Sequence, residues 1–162
     1  MKRLYIAYGS NLNTEQMAWR CPGAKILAKS WLHNHRLVFQ GSLHNAHANV
    51  IPEKGQDVPV LIWEITADHE RALDRYEGVK GGYYTKEYMP VEVAGEIHEA
   101  LIYIMTPNPY GIPADGYLQC IAEGYKEFNF DIRILNDSVL DAFRKTRKLR
   151  YADFSALAPA TR

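Results

Sequence analysis

Apolar positions along the chain keep two periods, and the points where one gives way to the other divide it into elements. Residues 1–8 are strand-like through Arg3-Leu4-Tyr5-Ile6-Ala7, and a short helix from Thr14 to Arg20, capped by Asn13 or Thr14, stops before Cys21-Pro22-Gly23. Alternating or clustered apolar residues predict strands over 25–32 and 36–40, with His33-Asn34-His35 as the bend between them, and a polar loop over 41–49. A short strand follows at Ala48-Asn49-Val50-Ile51-Pro52, residues 53–57 turn through Gly55, and 58–65 is an unbroken apolar run of the kind buried on both faces.

The period then becomes helical. Thr66 caps the helix, Asp68 and Glu70 occupy its first turn, Leu73 and Tyr76 share a face, and Gly78 ends it. Lys80-Gly81-Gly82 turns the chain into two strand-like stretches, 83–93 and 99–106, joined through Gly95. Pro107, Pro109, Gly111 and Pro113 mark a loop before a helix with Tyr117, Ile121, Tyr125 and Phe128 on one stripe. Asp131 caps a last helix whose expected buried face is Ile132, Leu135, Val139 and Phe143. Strands early and helices late predict an α+β fold, with a curled or closed sheet that spares roughly seven strands an exposed edge.

Composition narrows the function classes. With 47% hydrophobic and 23% charged residues, the 162 positions suit one domain with a core of its own. Nineteen basic residues balance 19 acidic ones, so no overall field recruits nucleic acid or an anionic membrane, and a small-molecule partner is expected. Cys21 and Cys120 stand far apart and the first residues lack a secretory pattern, which predicts a cytoplasmic protein with free thiols. No apolar run approaches the about 18 residues of a membrane span. The sequence leaves the oligomeric state open.

Two stretches carry candidate chemistry. The strand that runs into Tyr8-Gly9-Ser10-Asn11-Leu12 and then into a helix leaves backbone N–H groups at the turn, an arrangement that holds an anion. Gly9 allows either a backbone conformation closed to other residues or a ligand's close approach to the main chain. The same residues also suit a turn that serves only geometry and capping. In Leu73-Asp74-Arg75-Tyr76-Glu77-Gly78-Val79, Glu77 sits at the negative end of a helix dipole among Tyr76, Tyr83 and Tyr84. That setting raises a carboxylate's affinity for a proton and suits it to acid/base work, whereas a solvated surface glutamate is the plain alternative.

These two stretches in register, followed by Tyr103-Ile104-Met105-Thr106 and the Tyr117 helix, resemble the gamma-glutamylcyclotransferase-like family along nearly the whole chain. The resemblance implies a small mixed β-barrel, on the order of six to eight strands with flanking helices, and a cavity at the turn. It also implies one catalytic glutamate at Glu77, and a reaction that converts a gamma-glutamyl amine or peptide to 5-oxoproline and a free amine without metal or cofactor. Tyr8, Gly9, Ser10, Asn11 and Leu12 would form the substrate-binding turn, in which the N–H groups around Gly9, Ser10 and Asn11 hold the substrate's α-carboxylate or its oxyanion and Tyr8 falls at a position of a cavity aromatic. Tyr84 (or its neighbour Tyr83), Tyr103 and Tyr117 fall near positions of cavity aromatics, though core or lid roles suit each equally well. Asn11 stands where glutathione-specific members carry another residue, which leans away from glutathione. A non-catalytic sensor of a small acidic or gamma-glutamyl metabolite is the alternative to an enzyme.

Other features are discounted. His33, His35, His44 and His47 are close in sequence, but no carboxylate or cysteine completes a familiar metal spacing, and they read as surface residues. Arg144, Lys145, Arg147, Lys148 and Arg150 read as a solvated helix terminus rather than a nucleic-acid patch. Cys21 and Cys120 have no neighbouring histidine and read as structural thiols. No glycine-rich nucleotide loop occurs, so no nucleotide cofactor is expected.

Overall fold

A computed structural model describes residues 2–155, with side chains described for residues 2–147. Five strands, β1 (Arg3–Ala7), β2 (Lys25–Ser42), β3 (Asn45–Ile65), β4 (Tyr84–Val93) and β5 (Glu96–Met105), form one mixed sheet in the order β2-β3-β1-β5-β4. Helices α1 (Thr14–Arg20), α2 (Ala67–Tyr76), α3 (Asp115–Glu127) and α4 (Ile132–Ser155) complete the α+β fold. β1 is antiparallel to β3 and parallel to β5. The sheet curls without closing. Ser30 of β2 donates its hydroxyl to the Glu92 carbonyl of β4 at 3.0 Å, so its edges approach through a side chain rather than a barrel ladder.

The expected strands are fewer and longer because two bends are bulges within one hairpin. The β2–β3 register shifts between His33 and His35, where Asn34 takes a φ of 57° opposite Gly55 at 81°. Gly55 N–H donates to Asn34 Oδ1 at 3.0 Å, and His33 Nδ1 lies 2.9 Å from Asp57 Oδ1. Each strand bends against the other and neither stops. The expected polar loop at 41–49 is likewise a tight reversal at Leu43 and His44 between paired strands. The proline-rich segment seals this hairpin: Gly41 N–H donates to the Pro109 carbonyl at 2.8 Å and Ile112 N–H to that of Leu43 at 2.8 Å.

Caps read from the sequence are in place. Asn13 Oδ1 accepts from Gln16 N–H at 3.1 Å at the start of α1, and Thr66 forms a capping box with His69 at the start of α2. Gly78 ends α2 in the left-handed region at φ 64°. The α4 face differs from expectation. Its buried line is Leu135, Ser138, Ala142 and Thr146, while Ile132 and Phe143 are exposed. Ser138 and Thr146 satisfy their hydroxyls on the carbonyls of Ile134 and Ala142, both at 2.9 Å, so two polar residues can occupy the core side. The basic run lies within α4, which continues to Ser155, rather than at its terminus. Lys145 reaches Asp141 at 3.3 Å and the Tyr110 hydroxyl at 2.9 Å, and the Lys148 and Arg150 side chains are outside the described residues.

Candidate active site

After β1 the chain leaves the sheet and makes one 3₁₀ turn over Ser10–Leu12, closed by Leu12 N–H to the Gly9 carbonyl at 3.0 Å and Asn13 N–H to that of Ser10 at 3.1 Å. The preceding N–H groups, those of Gly9, Ser10 and Asn11, have no acceptor among the described residues. All three residues line a cavity of about 550 Å³. Gly9 has a φ of −120°, so a left-handed backbone is not what requires glycine here. Space is: a Cβ would stand 3.1 Å from Ala48 Cβ and 3.5 Å from the Tyr117 hydroxyl.

Glu77 lines the same cavity. Its N–H still bonds back to the Leu73 carbonyl at 2.8 Å, so the carboxylate is carried at the last turn of α2 and aimed into the cavity. Burial pushes its pKa up to about 7, against the opposing pull of the Arg20 guanidinium. Helix α2 is pinned to the sheet one turn earlier. Asp74 accepts from the Tyr103 hydroxyl at 2.7 Å and from Lys86 Nζ at 3.0 Å, and buried Glu70 pairs with both Arg3 and Lys86. Burial alone would raise Glu70, but its hydrogen bonds from Lys86 and Arg3 hold it below the usual carboxylate range.

Arg20, at the end of α1, folds back over the turn. Its Nη1 donates to Asn11 Oδ1 at 2.6 Å and to Ser10 Oγ at 3.0 Å, and the Tyr76 ring covers the guanidinium at 3.5 Å from its centroid. Asn11 passes the order on: its Nδ2 donates to the Tyr5 hydroxyl at 2.9 Å, while its carbonyl accepts from Trp63 Nε1 at 3.1 Å. The cavity thus holds one carboxylate, one guanidinium, a row of free N–H groups and a cluster of tyrosines.

The family described as Gamma-glutamyl cyclotransferase, AIG2-like matches residues 5–124 of this sequence, about three quarters of its length. The chain belongs to this family. Gamma-glutamylcyclotransferase of Homo sapiens is 31% identical over 134 residues, spanning 76% of this chain and 70% of that protein. The Bos taurus gamma-glutamylcyclotransferase is 32% identical over 136 residues with the same coverage. A solved structure described as gamma-glutamyl cyclotransferase superposes with a TM-score of 0.77 at 27% identity, covering 85% of this chain and 86% of that one.

Against this cyclotransferase framework all of the expected site residues but one line the cavity. Gly9, Ser10, Asn11 and Glu77 line the cavity together with the rings of Tyr8, Tyr84, Tyr103 and Tyr117. Leu12 does not. It is fully buried against Gly124 of α3, because the third residue of the 3₁₀ turn faces the helix rather than the cavity. Three tyrosine hydroxyls are spent on the protein: Tyr8 donates to the Tyr103 carbonyl at 2.5 Å, Tyr84 to that of Ala48 at 2.8 Å, and Tyr103 to Asp74. Tyr83 also lines the cavity, packed on Gly78. Of the four histidines grouped in sequence, His47 is at the cavity, with its ring edge-on to Tyr117 at 4.9 Å.

Sequence reasoning missed Arg20, Tyr5 and His47. The one available signal was that Arg20 stands in the last turn of a seven-residue helix, which brings it back over the turn it follows. Arg20→Gln is expected to move the Glu77 titration to higher pH, since the opposing positive charge is gone, as followed by carboxyl ¹³C NMR. The lost charged hydrogen bonds to Ser10 and Asn11 should lower stability by about 2 kcal/mol in denaturant unfolding. An unmoved titration would mean that Arg20 does not act on Glu77.

Proposed function

We propose that this chain cyclises the gamma-glutamyl group of a gamma-glutamyl amine or peptide, releasing 5-oxoproline and a free amine, with Glu77 as its single general acid/base. The observation that carries the reading is a carboxyl group with a pKa of about 7 that shares one cavity with unpaired N–H groups of the Gly9–Asn11 turn. A sensor gains nothing from a carboxylate beside an anion cradle; a proton-transfer catalyst needs both.

The substrate supplies its own nucleophile, so the protein folds it and moves protons. Glu77 as carboxylate takes a proton from the α-ammonium group, and the freed amine attacks the gamma-carbonyl carbon. The C–N bond to the leaving amine breaks as Glu77 returns a proton to that nitrogen. Two protons pass in all from the attacking nitrogen to the departing one, and a carboxyl group beside both can carry each in turn. The turn N–H groups take an anionic oxygen of the substrate. The hairpin tip and proline-rich segment contribute Ser42, Asn45 and Asn108 to the cavity lining, which supports a part for them in reading the leaving amine.

The test is 5-oxoproline release from a panel of gamma-glutamyl amines, dipeptides and glutathione. For the best substrate, kcat/KM should rise with pH through about 7, falling roughly tenfold per pH unit below it as Glu77 becomes protonated and can no longer accept. A profile flat from acid to alkaline pH would remove Glu77 from the role.

A further inference from the structure

The polarity of the hydrogen bonds around the cavity separates its tyrosines. A phenol has one hydrogen to donate and lone pairs to accept. Tyr8, Tyr84 and Tyr103 have spent their hydrogens on the Tyr103 carbonyl, the Ala48 carbonyl and the Asp74 carboxylate. Tyr5 and Tyr117 are used the other way round. Tyr5 accepts from Asn11 Nδ2 at 2.9 Å, and Tyr117 accepts from Ala48 N–H at 2.9 Å. Neither hydroxyl hydrogen has an acceptor among the described residues, and both residues line the cavity.

For Tyr5 the polarity is enforced from outside. Arg20 has no acceptor atom, so the Asn11 oxygen must face it at 2.6 Å, and the Asn11 amide nitrogen must then face Tyr5. Tyr5 is left only as a donor toward the cavity. Burial first, and the Glu77 charge second, push the Tyr5 hydroxyl far above its ordinary value, so it stays a neutral donor at every working pH. No hydrogen bond joins it to Glu77 among the described residues, which leaves its hydrogen for a bound molecule. The group beside a carboxylate that serves both nitrogens of the reacting carbon is that carbon's oxygen.

We propose that Tyr5 is a further catalytic residue, donating its hydroxyl hydrogen to the substrate's gamma-carbonyl oxygen as it becomes an oxyanion, and that Arg20 and Asn11 form the relay that fixes it as a donor. This rests on the cyclisation reading above. With the oxyanion served by Tyr5, the N–H groups of Gly9, Ser10 and Asn11 are left for the α-carboxylate.

The experiment compares kcat and KM for 5-oxoproline release by the full chain, Tyr5→Phe, Asn11→Asp and the double variant, on the alkaline plateau and per folded molecule by circular dichroism. Tyr5→Phe removes the donor. Asn11→Asp keeps the Arg20 partner but places a carboxylate oxygen where Nδ2 was, so the Tyr5 hydrogen turns to Asp and away from the cavity. Each single change should lower kcat by about 100- to 1,000-fold with KM within a few-fold, and the double variant should be no slower than the slower single one. Losses that multiply, or a Tyr5→Phe variant that keeps kcat within about threefold, overturn the proposal. If Tyr5→Phe does not fold, Asn11→Asp decides alone: a retained kcat overturns the relay and a lost kcat with retained KM supports it. A parent chain inactive on the whole panel indicts the cyclisation reading instead, which separates the two failures.

Discussion

Glu77→Gln is expected to lose turnover by about 100- to 10,000-fold while leaving KM little changed, because glutamine keeps the shape and hydrogen-bonding reach of the side chain and removes the base. The same change should stabilise the protein above neutral pH. The folded chain holds this carboxyl near 7 against an ordinary 4.5, so between those values the native state binds a proton that the unfolded state has released. Stability from this group is therefore complete below about 4.5 and falls as pH rises to about 7, beyond which the loss is constant. The full displacement corresponds to about 3 kcal/mol, an upper figure because the carboxylate keeps part of its hydration in the cavity. Glutamine carries no such penalty. Melts of the two proteins should coincide near pH 4 and separate by on the order of 5 °C at pH 8. Retained activity would exclude Glu77 as the base, and coincident melts at both pH values would show that its carboxylate is not desolvated. The two readouts fail independently.

Why Glu77 and the turn stood out in the sequence as candidates, and Tyr5 and Arg20 did not, follows from how each position is encoded. A glutamate followed by a left-handed glycine at a helix end is a local pattern, and so is glycine between a strand and a capped helix. The role of Tyr5 depends on which way one hydrogen points, and that is decided through Asn11 by a guanidinium nine residues further on. Read locally, Tyr5 is one of the apolar positions of β1, and its burial agrees with that reading. The same limit explains the strands. His33-Asn34-His35 and the Gly55 turn each look like chain reversals alone, and only their juxtaposition across β2 and β3 turns them into one compensated bulge. On α4 the apolar stripe was misjudged because Ser138 and Thr146 are buried with their hydroxyls bonded to their own helix, a state no count of apolar residues reveals.

Gly9→Ala should separate chemistry from folding in the opposite sense to Glu77→Gln, with a large loss of rate and a small loss of stability. The residue has a negative φ, so alanine meets no left-handed backbone. What it meets is Ala48 Cβ at 3.1 Å and the Tyr117 hydroxyl at 3.5 Å, and the first of these must yield by a few tenths of an ångström. Ala48 lies in β3, whose backbone is held by its ladder, so the strain falls mainly on the turn itself. Overpacking of one methyl group costs about 1–2 kcal/mol, or a few degrees in melting temperature for a chain of this size. The turn cannot move without moving its function. Gly9, Ser10 and Asn11 all line the cavity, Asn11 ties them to the Tyr5 hydroxyl, and the methyl also presses toward the hydroxyl of Tyr117. A misplacement of about 1 Å at a reacting site costs about 100-fold, which sets the upper figure for the loss in kcat/KM. Thermal melts and 5-oxoproline release on the same sample decide it: a variant that melts several degrees early yet works at the parent rate per folded molecule would show that glycine here serves only the start of α1.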